Sequence, residues 1–182
     1  MQKRDYTISV FTEDLTGLLS RVVSIFTRRH INIESLTTSQ SSIEGIHRFT
    51  IVVNVEKEMV IKLVAQLDKQ IDIIKAFHYE LDDIVYQEVA LYKVSSAIFN
   101  NGTQVERMVR SHNARILVIE KEYVVIEKTG HAIDTEALLT ELKAIGDVFS
   151  FVRSGRVAIA KPMEELNRYL ESLGAKSVKV PA

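Results

Sequence analysis

The sequence of 182 residues contains no cysteine and no tryptophan, only two prolines and only seven glycines. Without cysteine, disulfides, thiolate metal sites and cysteine nucleophiles are all excluded. This absence also fits a reducing compartment, and we expect a cytoplasmic protein. With 46% hydrophobic and 26% charged residues, the composition is that of an ordinary globular protein and not of a disordered chain.

Neither sign of charge is in excess. Lys and Arg number 23 and Asp and Glu 24, so the net charge of −1 provides no general attraction to nucleic acid or to an anionic membrane. No segment approaches the roughly 18 uninterrupted apolar residues of a membrane-spanning helix, and the N-terminus lacks a signal-peptide pattern. We therefore expect no nucleic-acid or membrane partner.

Motifs of known catalytic chemistry are also missing. The sequence has no GxGxxG, GxxxxGK[ST] or GxSxG, and its five histidines form no HExxH or HxxxH pair, so we predict no catalytic residue and no metal site. His30 and His47 could still meet in the fold, although half-exposed positions explain each more simply. The acidic pairs Glu13–Asp14 and Asp82–Asp83 fall at predicted element ends, where acidic side chains cap or solvate the backbone.

Hydrophobic periodicity predicts the same order of elements twice. In the first half, alternation as in Tyr6, Ile8 and Val10 predicts strands, and spacing as in Leu18, Val22 and Phe26 predicts helices. The predicted strands cover 6–10, 31–39, 46–55 and 71–79, and the predicted helices cover 18–26 and 59–67. In the second half the corresponding segments are 87–94, 105–109, 115–119, 123–127, 138–142 and 148–152, with a further strand at 157–160.

This repetition predicts an α+β protein built from two ferredoxin-like βαββαβ modules of about 80 residues each. We place the first module at 4–80, the second at 85–161 and a helical tail at 162–182. Sheet edges in so small a module favour self-association. In the tail, residues from Met163 to Leu173 have the spacing of an amphipathic helix that ends at Gly174. We expect it to pack on the second module; docking to a partner is the alternative.

One glycine stands where the first strand turns into the first helix. Gly17 follows Asp14, Leu15 and Thr16 and precedes Leu18. In one interpretation Asp14 or Thr16 caps the helix and Gly17 relieves crowding, while Asn32 makes a local turn bond. In the other, the backbone amides at the helix start are left free to hold a small anion. Residue chemistry leaves both open and favours the cap slightly.

The segment TGLLSRVVSIFTRRHINIESLT, followed by HRFTIVV, QLDKQIDIIKA and VRSGRVAIAK, resembles the regulatory small subunits of acetolactate synthase, also called acetohydroxyacid synthase. The resemblance extends to about residue 161. It implies an N-terminal ACT domain and a C-terminal ACT-like domain. It also implies a non-catalytic chain that activates a separate catalytic subunit and mediates feedback by valine or another branched-chain amino acid.

By the same resemblance, two N-terminal modules join their sheets as a homodimer and the effector binds at their junction. One copy would contribute Asp14, Leu15, Thr16, Gly17 and Leu18, and the other would contribute Asn32 and Ile33. Thiamine diphosphate, magnesium and usually FAD would be held by the catalytic subunit, with no cofactor bound by this chain.

The chain departs from the family pattern at Asp14, where asparagine is common, and at Leu15, where a polar residue or lysine is frequent. An ionised Asp14 would attract the ligand ammonium group but repel its carboxylate, an effect worth about 1 kcal/mol or more. Two other functions stay open from the sequence. One is a stand-alone tandem ACT sensor that acts on another enzyme or on transcription. The other is an unrecognised small enzyme, although the sequence shows no convergent titratable groups that would support it.

Overall fold

The computed structural model describes residues 2–101, 104–161 and 165–174, and the chain divides into two compact units. One unit runs to Val85 and includes the described residues from Arg156 onward, and the other is Tyr86–Gly155. In each, four antiparallel strands and two helices follow the order βαββαβ, and the second sheet has a fifth strand. The predicted α+β fold with two ferredoxin-like modules is therefore confirmed. Within the described ranges, no helix is long and apolar enough to cross a membrane.

The first unit is built on a sheet in the order β2-β3-β1-β4, with β2 at one edge. Its elements are β1 (Arg4–Glu13), α1 (Leu18–Thr27), β2 (Ser35–Gln40), β3 (Ile46–Val55), α2 (Lys57–Leu67) and β4 (Ile73–Tyr79). Alternate residues of β1, namely Tyr6, Ile8 and Val10, are buried in one core with Phe26 of α1 and Leu63 of α2. Both helices therefore cover the same sheet face.

Two strands of the first unit begin later than the periodicity predicts. β2 begins at Ser35 instead of residue 31, and β4 begins at Ile73 instead of residue 71. The Ile73 amide donates to the Gln70 carbonyl at 3.2 Å, which closes a turn before the strand, and the Ile71 side chain is 99% exposed. Ile71 is apolar but does not pack against the core, so the prediction from hydrophobicity alone placed the start of β4 two residues too early.

The second unit repeats this architecture with the sheet order β6-β7-β5-β8. Its elements are β5 (Ile84–Ser95), α3 (Gln104–Ser111), β6 (Arg115–Ile119), β7 (Tyr123–Gly130), α4 (Ala132–Ile145) and β8 (Val148–Arg153). Tyr92 is fully buried and donates to the Thr135 carbonyl at 2.8 Å, and burial raises the pKa of Tyr92 far above its ordinary value. A Cβ at Gly146 would lie 2.3 Å from Ile98 Cγ2, so a larger residue after α4 would force Ile98 to shift.

The remaining elements, β9 (Val157–Ala160) and α5 (Glu165–Ser172), group with the first unit. Buried Arg156 donates from Nη1 to Thr7 Oγ1 at 2.7 Å, and Thr37 Oγ1 donates to the Arg156 carbonyl at 3.1 Å. β9 is a strand, as predicted, and it pairs with β5. The predicted boundaries of the two modules and of the tail stay predictions.

The tail helix α5 also contacts the first unit. Lys75 Nζ of β4 lies 5.3 Å from the centroid of the Tyr169 ring. The expectation that this helix packs on the second module is therefore corrected. Its periodicity identified an apolar side but carried no information about which surface that side meets. Met163, which began the predicted helix, lies outside the described residues.

Candidate functional site

The turn between β1 and α1 is held by Gly17 at the N-cap of the helix. Gly17 has φ 87° and ψ −5°, a left-handed conformation, and no side chain makes a capping hydrogen bond. A Cβ at this position would meet no atom within 4 Å, so the glycine is required for its backbone angles and not for space. The expected cap by Asp14 or Thr16 is therefore wrong, because Gly17 itself occupies the capping position.

The backbone amides of this turn are only partly satisfied. The Asp14 amide donates to the Gly45 carbonyl at 3.1 Å, and the Leu15 amide donates to the Glu13 carbonyl at 3.1 Å. Among the described residues, the amides of Thr16, Gly17 and Leu18 have no acceptor. Unsatisfied amides at a helix start favour a bound carboxylate or phosphate. These amides thus lack acceptors within the described chain, which is the condition that the second interpretation of Gly17 requires.

The charges around this turn are arranged in pairs. Arg21 in the first turn of α1 forms an ion pair with Asp72, which immediately precedes β4. Asp14 Oδ1 lies 3.3 Å from Nε2 of His47 on β3. His47 stands opposite Thr12 and Gln40 in the strand register, so it lies beside the end of β1. Motif reasoning gave no role to His47, because this contact depends on that register.

Asn32 and Ile33, the other predicted site residues, lie at the opposite end of the sheet. They precede Glu34, whose amide donates to the Val52 carbonyl at 2.9 Å. Asn32 lines a cavity of about 500 Å³ together with His30, Asn54 and Met59. Its Nδ2 donates to Glu34 Oε1 at 3.0 Å. His30 therefore lies far from His47, and the two histidines do not meet.

One chain alone does not assemble the predicted site. In the register of β1 with β3, Glu13 pairs with Ile46 at the end near the turn, and Arg4 pairs with Val55 at the other end. A strand of this length spans about 30 Å at roughly 3.3 Å per residue. The turn residues 14–18 and the pair Asn32–Ile33 are separated by about that distance, so they do not meet within one chain.

The edge strand β2 connects these two ends. Gln40, at its C-terminal end, pairs with His47 near the turn, and Ser35, at its N-terminal end, follows Asn32 and Ile33. The Ser41 amide donates to the Ile46 carbonyl at 2.8 Å. Because bonded residues alternate along an antiparallel ladder, the amides of Leu36, Thr38 and Gln40 face away from β3. In the described part of the chain, no strand pairs with this edge.

The other face of the first sheet carries a partly buried cation. Arg48 Nη2 donates to Ser9 Oγ at 2.9 Å, and its guanidinium lies 5.5 Å from the Phe11 ring centroid. Desolvation lowers the pKa of Arg48. In the described ranges, no group of three or more His, Asp or Glu side chains could hold a metal ion.

Comparisons with known proteins assign a class to each of the two modules. A family model described as "AHAS small subunit-like ACT domain" matches residues 8–75. A second model, "Small subunit of acetolactate synthase", matches residues 87–162. The two matches cover one predicted module each.

Individual relatives identify the family. The chain is 35% identical over 164 residues to the acetolactate synthase small subunit of Bacillus subtilis, covering 90% of this chain and 93% of that protein. It is 36% identical over 156 residues to the small subunit of Mycobacterium leprae, covering 86% and 91%. The crystal structure of the Thermotoga maritima small subunit matches with a TM-score of 0.77 and 26% identity, covering 87% and 98%. The chain belongs to the family of acetolactate synthase small subunits, which are regulatory and not catalytic chains.

Proposed function

We propose that this chain binds the catalytic large subunit of acetolactate synthase, raises its activity and makes it sensitive to valine or another branched-chain amino acid. Family membership supports the partnership with a large subunit. The three amides without acceptors at Thr16, Gly17 and Leu18 support the effector site. Thiamine diphosphate, magnesium and any FAD belong to the catalytic subunit in this proposal.

The site is completed by a second copy through the free edge of β2. If two β2 strands pair antiparallel about a two-fold axis, the Ser35 end of one strand lies against the Gln40 end of the other. The Ser35 end follows Asn32 and Ile33, and the Gln40 end adjoins the turn through His47 and Asp14. This pairing brings Asn32 and Ile33 of one copy to residues 14–18 of the other, at two equivalent junctions.

The chemistry of such a junction suits a zwitterion with an alkyl side chain. The effector carboxylate accepts from the turn amides. Asn32 donates to Glu34 through Nδ2, so its Oδ1 can accept from the effector ammonium group. Leu15 and Leu19 flank the turn and are 51% and 41% exposed. Together with Ile33 they offer apolar surface to a branched side chain, which selects for branched-chain amino acids.

An effector shared by two copies acts through its preference for one arrangement of them. A difference in affinity between two states worth roughly 1 to 3 kcal/mol corresponds to inhibition of about 5- to 150-fold. Changing either the turn residues 14–18 or the pair Asn32–Ile33 should therefore abolish feedback inhibition by the effector, while the catalytic subunit is still activated.

The direct test mixes the full chain with the large subunit from the same organism and measures acetolactate formation with and without L-valine, L-leucine or L-isoleucine. We expect a complex, a rise in activity and inhibition by at least one of the three amino acids. Absence of both complex and activation would contradict the partnership and favour a stand-alone sensor. Activation without inhibition by any of the three would contradict the effector site alone.

A further inference from the structure

His47 has a ring nitrogen that is buried yet makes no hydrogen bond. Its Nε2 is shielded from solvent and bonds to no described atom, although Asp14 Oδ1 lies 3.3 Å away. The Asp14 side chain is 61% exposed and that of His47 is 28% exposed. Shielding a polar nitrogen without a partner costs free energy, so this arrangement needs an explanation beyond packing.

The other charged groups near this end of the sheet have separate roles. Arg21 of α1 is paired with Asp72 before β4. Glu13 at the end of β1 and Glu44 in the turn before β3 are exposed. The cross-strand neighbours of His47, Thr12 and Gln40, are uncharged. Within ion-pair distance, Asp14 is thus the carboxylate that faces His47 among the described residues.

Resting on the proposed effector site, we propose that His47 is a positioning residue of that site. Its Nε2 holds the Asp14 carboxylate beside β3 and offsets its negative charge. A proton on Nε2 presents positive charge, partial or full, to the Asp14 carboxylate 3.3 Å away, whether the imidazole is neutral or charged. The effector carboxylate can then bind the turn amides although an acidic residue stands two positions before Thr16.

A double-mutant cycle on the full chain tests this role, with binding of L-valine, L-leucine and L-isoleucine measured by calorimetry. His47→Leu removes the donor at similar volume, and Asp14→Asn removes the charge at an exposed position. With His47 present, we expect Asp14→Asn to change affinity less than about 2-fold. With leucine at position 47, we expect Asp14→Asn to raise affinity roughly 5-fold, because the unscreened charge is then removed.

The second unit offers a matched control. His112 Nε2 lies 3.0 Å from Glu141 Oε1, which makes it another histidine–carboxylate pair. His112→Leu should leave affinity unchanged within about 2-fold. Thermal melts of all variants separate loss of binding from loss of folding. If His47→Leu does not fold, the effector affinity of Asp14→Asn is compared with that of the wild type alone. A rise in affinity of roughly 5-fold in Asp14→Asn would mean that His47 does not offset the charge of Asp14, and would overturn the proposal.

The outcomes also distinguish this inference from the proposed function. Equal effects of Asp14→Asn in both backgrounds, with amino acids still bound, would overturn the role of His47 and leave the effector site standing. Failure of every variant, wild type included, to bind any of the three amino acids would overturn the site and the role of His47 together.

Discussion

The two units have the same element order and the same sheet order but differ where the first strand meets the first helix. In the first unit, residues 14–17 make the connection, and the amides around Gly17 lack acceptors in the described chain. In the second unit, a 3-10 turn at Ser96–Asn101 follows β5. There the Ser96 amide donates to the Glu122 carbonyl at 3.1 Å and the Ala97 amide donates to Ser95 Oγ at 3.3 Å.

The edge strands differ in a related way. All six residues of β2 pair with β3 in one continuous register. β6 has a register shift between Ile116 and Val118, and a bulge on an edge strand hinders pairing with another sheet. The ferredoxin-like fold is therefore not sufficient for the proposed site. In the first unit, a left-handed glycine at the helix N-cap and a regular edge strand together supply the features on which the proposed site depends.

The largest effect is expected from Gly17→Val. A β-branched residue is strained at a φ of 87°, so the turn must rearrange and its three amides lose their common position. We expect affinity for the effector to fall roughly 10- to 100-fold, measured by calorimetry on the full chain. Gly155→Val is the matched control, since Gly155 also has a positive φ, of 77°. Similar loss of binding in both variants would mean that Gly17 acts through stability alone.

Breaking the edge of β2 should separate the two copies of the proposed homodimer. Thr38→Pro removes an amide that faces away from β3 and blocks pairing with a second β2 strand, while the bonds to β3 remain. We expect the dissociation constant of the dimer to rise about 10-fold or more, measured by sedimentation equilibrium. The dissociation constant should stay unchanged in two controls. These are Thr38→Ala, which keeps the amide, and Leu117→Pro, at the bulge of β6. Dissociation by Leu117→Pro instead would place the dimer contact in the second unit.

Glu127 should make the second unit sensitive to acid. The hydroxyl of Thr129 and the guanidinium of Arg115 both donate to it and lower the pKa of this buried carboxyl below its ordinary value of 4.5. Because the folded state favours the charged form, its contribution is complete above pH 4.5 and is lost as the pH falls through the lower folded-state pKa.

We expect Glu127→Gln to reduce the free energy of unfolding at pH 7 by about 1–3 kcal/mol and to make unfolding less dependent on pH below 4.5. Denaturant unfolding from pH 7 to pH 3 measures both effects. Glu120→Gln, on an exposed residue of the same unit, is the control. An unchanged pH dependence would contradict the role of the hydrogen bonds to Glu127.

The smallest effect concerns the tail helix. Tyr169→Leu keeps an apolar side chain but removes the ring near Lys75, so we expect a loss of about 0.5–1 kcal/mol in the stability of the first unit. Tyr123→Leu removes the corresponding contact in the second unit, where Lys93 Nζ lies 4.0 Å from the ring centroid. Hydrogen exchange assigns each loss to its unit. Loss of protection only in the second unit after Tyr169→Leu would contradict the position of α5.

Periodicity predicted the elements whose apolar residues face a core, such as Tyr6, Ile8 and Val10 of β1. It failed at Ile71, which is apolar and exposed, and at the tail helix, whose apolar side was recognised but not its partner surface. The site was predicted as a set of residues but not as a geometry. Residue chemistry suggested Asp14 as a helix cap. Its carboxylate instead lies beside His47, and that position depends on the strand register, which the sequence pattern does not show.

The most direct measurement uses mixed dimers with Gly17→Val in one copy and Asn32→Ala in the other, purified through two different tags. If each site takes its turn from one copy and Asn32 from the other, one junction carries both changes and the second carries neither. We predict that the mixed dimer binds one effector molecule at wild-type affinity, whereas either variant alone as a homodimer binds weakly at both sites. Loss of wild-type affinity at both sites of the mixed dimer would contradict a site shared between copies.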